Sequence, residues 1–258
     1  MIEIWRKLIL NTKPPRVVTI IGGGGKTSLM NYLLTILKNK DDAAVGTSTT
    51  KLSNQPVRGH CFITIQSVAA GHQAVKQAIS MQHHVTLVSG EEVSDQEKII
   101  GIPSEWIDQL AAAHKDVIFV VEGDGSAGKS LKGHLAHEPV IPRSSSLVVV
   151  VIGIDSAGRS INFQNVHRPE RICELTGAGP DAIVTTEMMT QLLLHPQGYL
   201  HNCPQDSRVV LFINKVESAA QHQQAEKLAA QMLVSKHPQL CGVIIGSVMK
   251  EEGLWLQG

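Results

Sequence analysis

The sequence predicts an α/β fold in which a mostly parallel sheet is covered on both faces by helices. Three observations carry this. Short β-branched apolar runs alternate with amphipathic stretches along the 258 residues, the pattern of repeated strand–helix–strand units. Val117-Ile118-Phe119-Val120-Val121 and Leu147-Val148-Val149-Val150-Val151-Ile152 are apolar throughout, as strands buried on both faces must be. Val17-Val18-Thr19-Ile20-Ile21 enters four consecutive glycines followed by Lys26, Thr27 and Ser28, a strand-to-helix turn suited to phosphate. Together they specify the three-layer arrangement of a P-loop NTPase-like fold.

Taken in order, residues 3–10 form a short helix with Trp5, Leu8 and Ile9 inward, ended by Asn11-Thr12-Lys13-Pro14-Pro15. Residues 1–16 thus read as an N-terminal helix and linker. Beyond the glycines, apolar residues at 29, 30, 33, 34 and 37 share one helix face, and Asp41-Asp42 ends that helix. Ala43-Ala44-Val45-Gly46 then leads into Thr47-Ser48-Thr49-Thr50-Lys51, a polar end that suits the carboxyl edge of a parallel sheet, where ligands bind. Strands at 61–65 and 85–88 flank an Ala/Gln-rich helix over about 67–82. Residues 104–115 form another helix with Ser104 as N-cap.

The strand at 117–121 delivers Glu122-Gly123-Asp124-Gly125-Ser126, and residues 128–142 read as loop. The strand at 147–152 runs into Gly153-Ile154-Asp155. Strands at 209–213 and 242–246 enclose a helix over about 219–235, and about 156–206 reads as an inserted or irregular section. With no internal repeat or low-complexity linker, residues 1–258 read as one nucleotide-binding domain.

Composition narrows the partners. Lys+Arg and Asp+Glu are equal at 23 each, which argues against nucleic acid or an anionic membrane held by a broad positive field. No apolar run is long enough to span a bilayer, and the N-terminus has no secretory pattern. Cys61, Cys173, Cys203 and Cys241 are scattered without a C-x-x-C pair, which fits reduced thiols in a cytoplasm. Aromatic content of 3% leaves the core to Val, Ile, Leu, Ala and Met.

The glycine loop carries the chemistry. Each glycine costs roughly 0.5–1 kcal/mol relative to alanine, and a plain turn needs one or two, not four. Ile20 stands where the full eight-residue pattern has its first glycine, so the loop is the shortened form G-x-x-G-K-T. Gly22, Gly23, Gly24 and Gly25 are expected to turn backbone N–H groups onto phosphates, and Lys26 to neutralise them. Thr27 is expected to ligate Mg²⁺, with Ser28 a second hydroxyl beside it.

A second stretch, Gly123-Asp124-Gly125-Ser126-Ala127-Gly128-Lys129-Ser130, matches G-x-x-x-x-G-K-[ST] to the letter. The residues after it include Gly133 and Pro139 and present no sustained helical face, so the helix dipole a phosphate needs is missing. Its acids matter more. Glu122 and Asp124, at a strand end beside the glycine loop, are placed to hold Mg²⁺ through its waters or to orient a nucleophile. Lys129 and Lys132 are within the same loop and can reach toward phosphate.

Asn214-Lys215-Val216-Glu217 is an Asn-Lys-x-acid turn at a strand end, placed to contact the base. Glu217 stands where guanine-nucleotide proteins carry aspartate, so ATP and GTP both stay open. Thr49, Thr50 and Lys51 form a switch-like loop toward Mg²⁺ or the γ-phosphate, and Asp155 lies on the same edge. His134 and His137 with Glu138 make at most a weak metal site, because three-residue spacing in a loop without cysteines is poor evidence for one. In His167-Arg168-Pro169-Glu170 the arginine can pair with an anionic substrate or form a surface salt bridge. Ser126, Ser130 and the cysteines lack a triad partner, so nucleophilic catalysis gains no support.

Taken together, Gly22-Gly23-Gly24-Gly25-Lys26-Thr27, Thr49-Thr50-Lys51, Val121-Glu122-Gly123-Asp124-Gly125-Ser126, Leu131-Lys132, His137-Glu138-Pro139-Val140-Ile141-Pro142, Gly153-Ile154-Asp155 with Gly158, His167-Arg168-Pro169-Glu170 and Asn214-Lys215-Val216-Glu217 resemble the YqeC family, accessory proteins of selenium-dependent molybdenum hydroxylases. The resemblance spans residues 17 to about 250. It implies a nucleotide-binding P-loop protein that helps mature or load the selenium-containing molybdenum cofactor site of a hydroxylase, and it settles no reaction. The residues themselves lead to a slow, partner-stimulated NTPase that uses ATP or GTP with Mg²⁺ and serves a client hydroxylase or a cofactor-handling protein. An ATP-dependent kinase or ligase acting on a cofactor precursor, and a non-catalytic nucleotide sensor, are the alternatives.

Overall fold

The computed structural model describes residues 1–11, 16–38, 43–53, 60–81, 84–92 and 98–257. The expected breaks at Thr12-Lys13-Pro14-Pro15 and Asp41-Asp42 lie outside the described residues. In chain order the elements are α1 (Ile2–Leu10), β1 (Arg16–Gly22), α2 (Lys26–Lys38), β2 (Ala43–Ser48), β3 (Lys51–Ser53), β4 (His60–Thr64), α3 (Val68–Ser80), β5 (His84–Val88), β6 (Gly90–Glu92) and β7 (Lys98–Ile100). They continue with α4 (Ser104–Ala113), β8 (Val117–Glu122), β9 (Ser145–Gly153), α5 (Pro169–Thr176), α6 (Thr186–Leu194), β10 (Arg208–Asn214), α7 (Ala219–Val234), β11 (Leu240–Ser247) and β12 (Glu252–Leu256).

A nine-stranded sheet runs in the order β12-β11-β10-β9-β1-β8-β2-β5-β4. It is parallel throughout except for β12, which pairs antiparallel with β11 at the edge. β1 lies in the middle, between β8 and β9. The chain leaves β1 across β8 toward β2 and later returns to β9 on the other side, so the carboxyl end of β1 is a topological switch point, where ligands of such sheets bind. The register aligns Ile20 with Glu122, Gly22 with Val151 and Gly153 with Asn214, bringing the expected site residues to one edge.

Side-chain alternation divides the core. Val18 and Ile20 of β1, Val120 of β8, Val149 of β9 and Phe212 of β10 face α1 and α2. Trp5 of α1 meets Phe212 edge-on, with ring centroids 5.7 Å apart. On the opposite face, Ile21, Val150 and Leu211 pack with α5, α6 and α7, while Val17, Phe119 and Val121 pack with α3 and α4. The strands are therefore apolar on both sides because each side has its own helical layer.

Local details differ from expectation at several points. Ser104 is the first helical residue of α4, and Pro103, with φ −56°, takes the cap position without a side-chain bond. Ser67 does cap α3, accepting from the Ala70 N–H. Ser218 and Gln221 form a reciprocal capping box on α7, which satisfies end groups the helix cannot. Residues 156–206, expected as an inserted or irregular section, contribute α5, α6 and buried Ile161, Val166, Val184 and Tyr199 to the core. The edge strand β12 and the small antiparallel sheet β3-β7-β6 leave little trace in the sequence because they are three to five residues long.

Candidate functional site

The glycine loop joins β1 to α2 at the switch point. Gly22 has φ +99°, and a Cβ there would stand 2.2 Å from the Val151 carbonyl oxygen. Gly25 has φ +124°, and its Cβ would stand 2.4 Å from Asn214 Nδ2. Only glycine suits either position. The loop is clamped as well: the Gly23 N–H donates to Val151 O at 2.9 Å and the Gly24 N–H to Lys129 O at 3.0 Å. Asn214 Nδ2 donates to Gly24 O at 2.7 Å while its Oδ1 accepts the Val248 N–H at 3.0 Å.

These bonds decide which N–H groups of the loop stay open. The four glycines are expected to supply them, yet the Gly22 N–H donates to both oxygens of Asp124, at 3.0 Å each, and those of Gly23 and Gly24 are held by Val151 O and Lys129 O. The N–H groups of Lys26, Thr27 and Ser28, the first turn of α2, have no carbonyl one turn earlier to accept them. The N–H groups left open here are therefore those at the helix terminus, with Gly22, Gly23 and Gly24 as its rigid approach.

Lys26 is buried, its Nζ donating to Gly22 O at 2.7 Å and lying 3.4 Å from Asp124 Oδ1 and 3.7 Å from Glu122 Oε1. Thr27 Oγ1 donates to Glu122 Oε2 at 2.8 Å. Burial pushes the Glu122 carboxyl above its ordinary range, against the opposing pull of Lys26 and Thr27. Ser28 is exposed on the same turn.

Asp124 behaves differently. It is fully buried and, besides Gly22 and Lys26, meets His134 Nε2 at 2.6 Å and Lys132 Nζ at 3.1 Å. Burial alone would raise its carboxyl; Lys26, the His134 hydrogen bond and Lys132 outweigh this and hold it well below the carboxylate range. Saturated with donors, Asp124 anchors the loop and has no oxygen left over for an ion. His134 is held below its ordinary value by burial, only partly offset by Asp124, so it donates as a neutral imidazole.

The network continues outward. Lys132 Nζ also bonds Gly125 O at 2.6 Å and Glu138 Oε2 at 3.3 Å. Glu138 accepts both guanidinium branches of Arg168, the second bond (Nη2 to Oε1) at 3.1 Å. The Tyr199 hydroxyl accepts the Lys132 N–H at 3.1 Å, and its ring stands edge-on to His134 with centroids 4.5 Å apart. Nothing in the sequence singles out Tyr199, which lies 67 residues from the lysine it contacts.

Two open readings resolve here. Arg168 pairs internally with Glu138 and is not presented to an anionic ligand. His134, His137 and Glu138 do not gather round a common point: His134 binds Asp124, Glu138 binds Lys132 and Arg168, and His137 is exposed. Among the described residues no three His, Cys, Asp or Glu side chains form a metal-binding group. The second pattern match, residues 123–130, is followed by no helix; it lies over the glycine loop through Lys129 O, and the Lys129 side chain donates outward to Gln164 O at 2.6 Å.

The remaining candidates lie along the same edge. The Thr49 N–H donates to Glu122 O at 3.0 Å and its hydroxyl to Val140 O at 2.7 Å, while the Thr50 N–H meets Ser48 Oγ at 3.0 Å. Lys51 opens β3 and is exposed. Lys215, with φ +63°, reaches back to Ser130 Oγ at 2.8 Å and Asp155 Oδ2 at 3.1 Å. Glu217 is exposed and borders a cleft of about 440 Å³ with Val216, Ser218, His222, Gln223 and Lys250.

The Glu138–Arg168 pair is expected to make stability fall in acid. Burial raises the Glu138 carboxyl, but Arg168 and Lys132 bring it from the usual 4.5 down to about 2. A carboxyl held low in the folded state adds stability above its unfolded value and loses it as pH falls toward the folded one, here from about pH 5 downward. In urea denaturation, wild type minus Glu138→Gln should give a constant stability difference above about pH 5 that shrinks steadily toward pH 2. A difference independent of pH would remove this assignment.

The family model described as YqeC protein matches residues 18–170, a span that includes the glycine loop, Glu122, Asp124, Lys132, His134, Glu138 and Arg168. A relative described as YqeC, from Escherichia coli (strain K12), is 32% identical over 203 residues, covering 79% of this chain and 77% of its own length. Among solved structures, HypB from Helicobacter pylori in complex with nickel aligns over 96% of this chain and 85% of its own, with a TM-score of 0.38 and 9% identity.

Proposed function

The chain belongs to the YqeC family, and from that premise we propose that residues 1–258 form one nucleotide-binding domain, a slow Mg²⁺-dependent NTPase for ATP or GTP. In this reading it acts in the cytoplasm as an accessory protein that helps mature or load a selenium-dependent molybdenum hydroxylase. One observation carries the nucleotide part: a buried lysine at the start of a helix, behind a clamped glycine loop, with Thr27 and Glu122 hydrogen-bonded to each other beside it at 2.8 Å. The family resemblance supports the accessory part. Among the described residues no helix is long and apolar enough to cross a membrane.

In this proposal Lys26 exchanges its bond to Gly22 O for β- and γ-phosphate oxygens, and the first-turn N–H groups of α2 hold the phosphate chain. The Thr27 hydroxyl and the Glu122 carboxylate are hard oxygen donors side by side, a set that fits Mg²⁺ sharing its shell with phosphate and water. Bound there, the ion would neutralise charge on the phosphates. Asp124 acts as the positioning residue that holds Gly22 and Lys26 in line. Asn214 braces the loop, and Lys215, Glu217 and the cleft beside them receive the base. Thr49, Thr50, Lys51 and Asp155 border the γ-phosphate side as a switch-like rim.

Phosphate release measured with ATP and GTP, with and without Mg²⁺ and a client hydroxylase, tests the proposal. Turnover should be slow for the protein alone, rise with the client and depend on Mg²⁺. Glu122→Gln should weaken the Mg²⁺ dependence by about 10–100-fold. Because the Glu122 carboxyl is raised, that dependence should strengthen as pH rises through its titration. Fast turnover indifferent to any client would remove the accessory role, and an unchanged Glu122→Gln variant the metal role.

A further inference from the structure

We propose that His72 and His114 form a chelating site for a late first-row divalent metal ion, Ni²⁺, Cu²⁺ or Zn²⁺, built from residues that take no part in the phosphate-loop network. Nδ1 of His72 and Nε2 of His114 lie 3.0 Å apart, and the ring centroids 5.2 Å apart with planes inclined by 43°. Only one proton fits between the two nitrogens. In the proposed site a metal ion takes the place of that proton, each ring tilting so that its nitrogen turns off the line between them. Imidazole nitrogen binds such ions at about 2.0–2.1 Å, so two nitrogens at this separation subtend about 94° at a shared metal. That is the angle between neighbouring positions of a square-planar or octahedral shell, the preference of Cu²⁺ and Ni²⁺. Opening the pair to about 3.3 Å gives the tetrahedral angle of Zn²⁺.

The two rings are positioned by regular structure. His72 lies in α3 beside Gly71, where an added Cβ would stand 3.0 Å from the Leu110 side chain, so α3 and α4 approach closely. His114 caps α4, its N–H donating to Leu110 O at 3.0 Å and its carbonyl accepting the Val117 N–H at 3.0 Å. Ligands carried on rigid elements lose little freedom on binding. Both histidines are half-buried, so one side of a bound ion is screened and the other remains open to water. A metal takes each ring in its neutral form, through the nitrogen that has given up its proton. The Lys76 charge repels a bound cation, and with two protein ligands the site is weaker than a closed set of three or four.

The test is calorimetric titration of the full, untagged, metal-free chain at pH 7.5 with NiCl₂, CuCl₂ and ZnCl₂ separately, alongside His72→Ala and His114→Ala. Wild type should bind one ion that both variants hold at least about tenfold more weakly, because each has lost the second arm of the chelate. The same ion should raise the thermal midpoint of wild type and not of either variant. An EPR spectrum of the one-equivalent Cu²⁺ complex should show coupling to two imidazole nitrogens in wild type and fewer in each variant. Isotherms that superimpose for wild type and either variant would overturn the proposal, leaving the pair as a hydrogen bond between two imidazoles. So would loss confined to one histidine. Variants with an unchanged metal-free midpoint confirm that lost binding is not lost folding.

Discussion

Replacing Lys26 with alanine is expected to weaken ATP and GTP binding by about 100-fold or more, while Lys129→Ala leaves both within about twofold. The first figure follows from removing charge-assisted hydrogen bonds worth about 1.5–3 kcal/mol each, where 1.4 kcal/mol is a factor of ten. The contrast matters more than either value. Lys129 belongs to the stretch that fits the eight-residue pattern to the letter, and Lys26 to the one that departs from it at Ile20. Their surroundings reverse that ranking. Lys26 opens a helix of 13 residues and its Nζ lies between Gly22 O, Glu122 and Asp124. Lys129 opens no helix, and its side chain is tied to Gln164 O on the outside. Equilibrium titration with fluorescent ATP and GTP analogues, with far-UV spectra to confirm folding, measures both. The opposite pattern, with Lys129 essential and Lys26 dispensable, would transfer the phosphate site to residues 123–130.

The fold is legible in the sequence where hydrophobic periodicity is strong. β1, β8, β9, β10 and β11 are buried along nearly their whole length, and an uninterrupted apolar run can mean little else when helical stretches lie between. The same periodicity says nothing about polar contacts across long sequence separations. Gly22 to Asp124 spans 102 residues and Asn214 to Gly24 spans 190. Residue types at the edge of the sheet can therefore be named, but not which of them satisfy one another. Asp124 and Glu122 look equivalent in sequence, two residues apart with a glycine between. They part because Asp124 turns toward the Lys132 and His134 loop, while Glu122 remains on the Thr27 side. Lys132 obeys the same logic: flanked by Leu131 and Gly133, it reads as an ordinary loop lysine, yet it is wholly buried.

That division yields the largest expected effect on stability. Asp124→Ala should destabilise the protein by about 3–5 kcal/mol, the usual cost of removing one partner of a buried ion pair. At about 2–4 °C per kcal/mol for a chain of this size, the thermal midpoint should fall by roughly 6–20 °C. The reason is the set of groups left behind: a fully buried Lys132 with one carboxylate fewer, and the Gly22 N–H and His134 Nε2 facing a space without an acceptor. Asp124→Asn keeps an acceptor and loses the charge, so it should cost less. Combining it with Lys132→Met should recover part of the loss, since the unpaired cation goes with its partner. Thermal and urea denaturation of the three variants, with nucleotide titration on each below its midpoint, separates two accounts. If Asp124 positions the loop, stability and nucleotide affinity fall together and the double variant restores both in part. If it served instead as a metal ligand, Asp124→Ala would lose Mg²⁺-dependent turnover with its midpoint intact, and Lys132→Met would give no rescue.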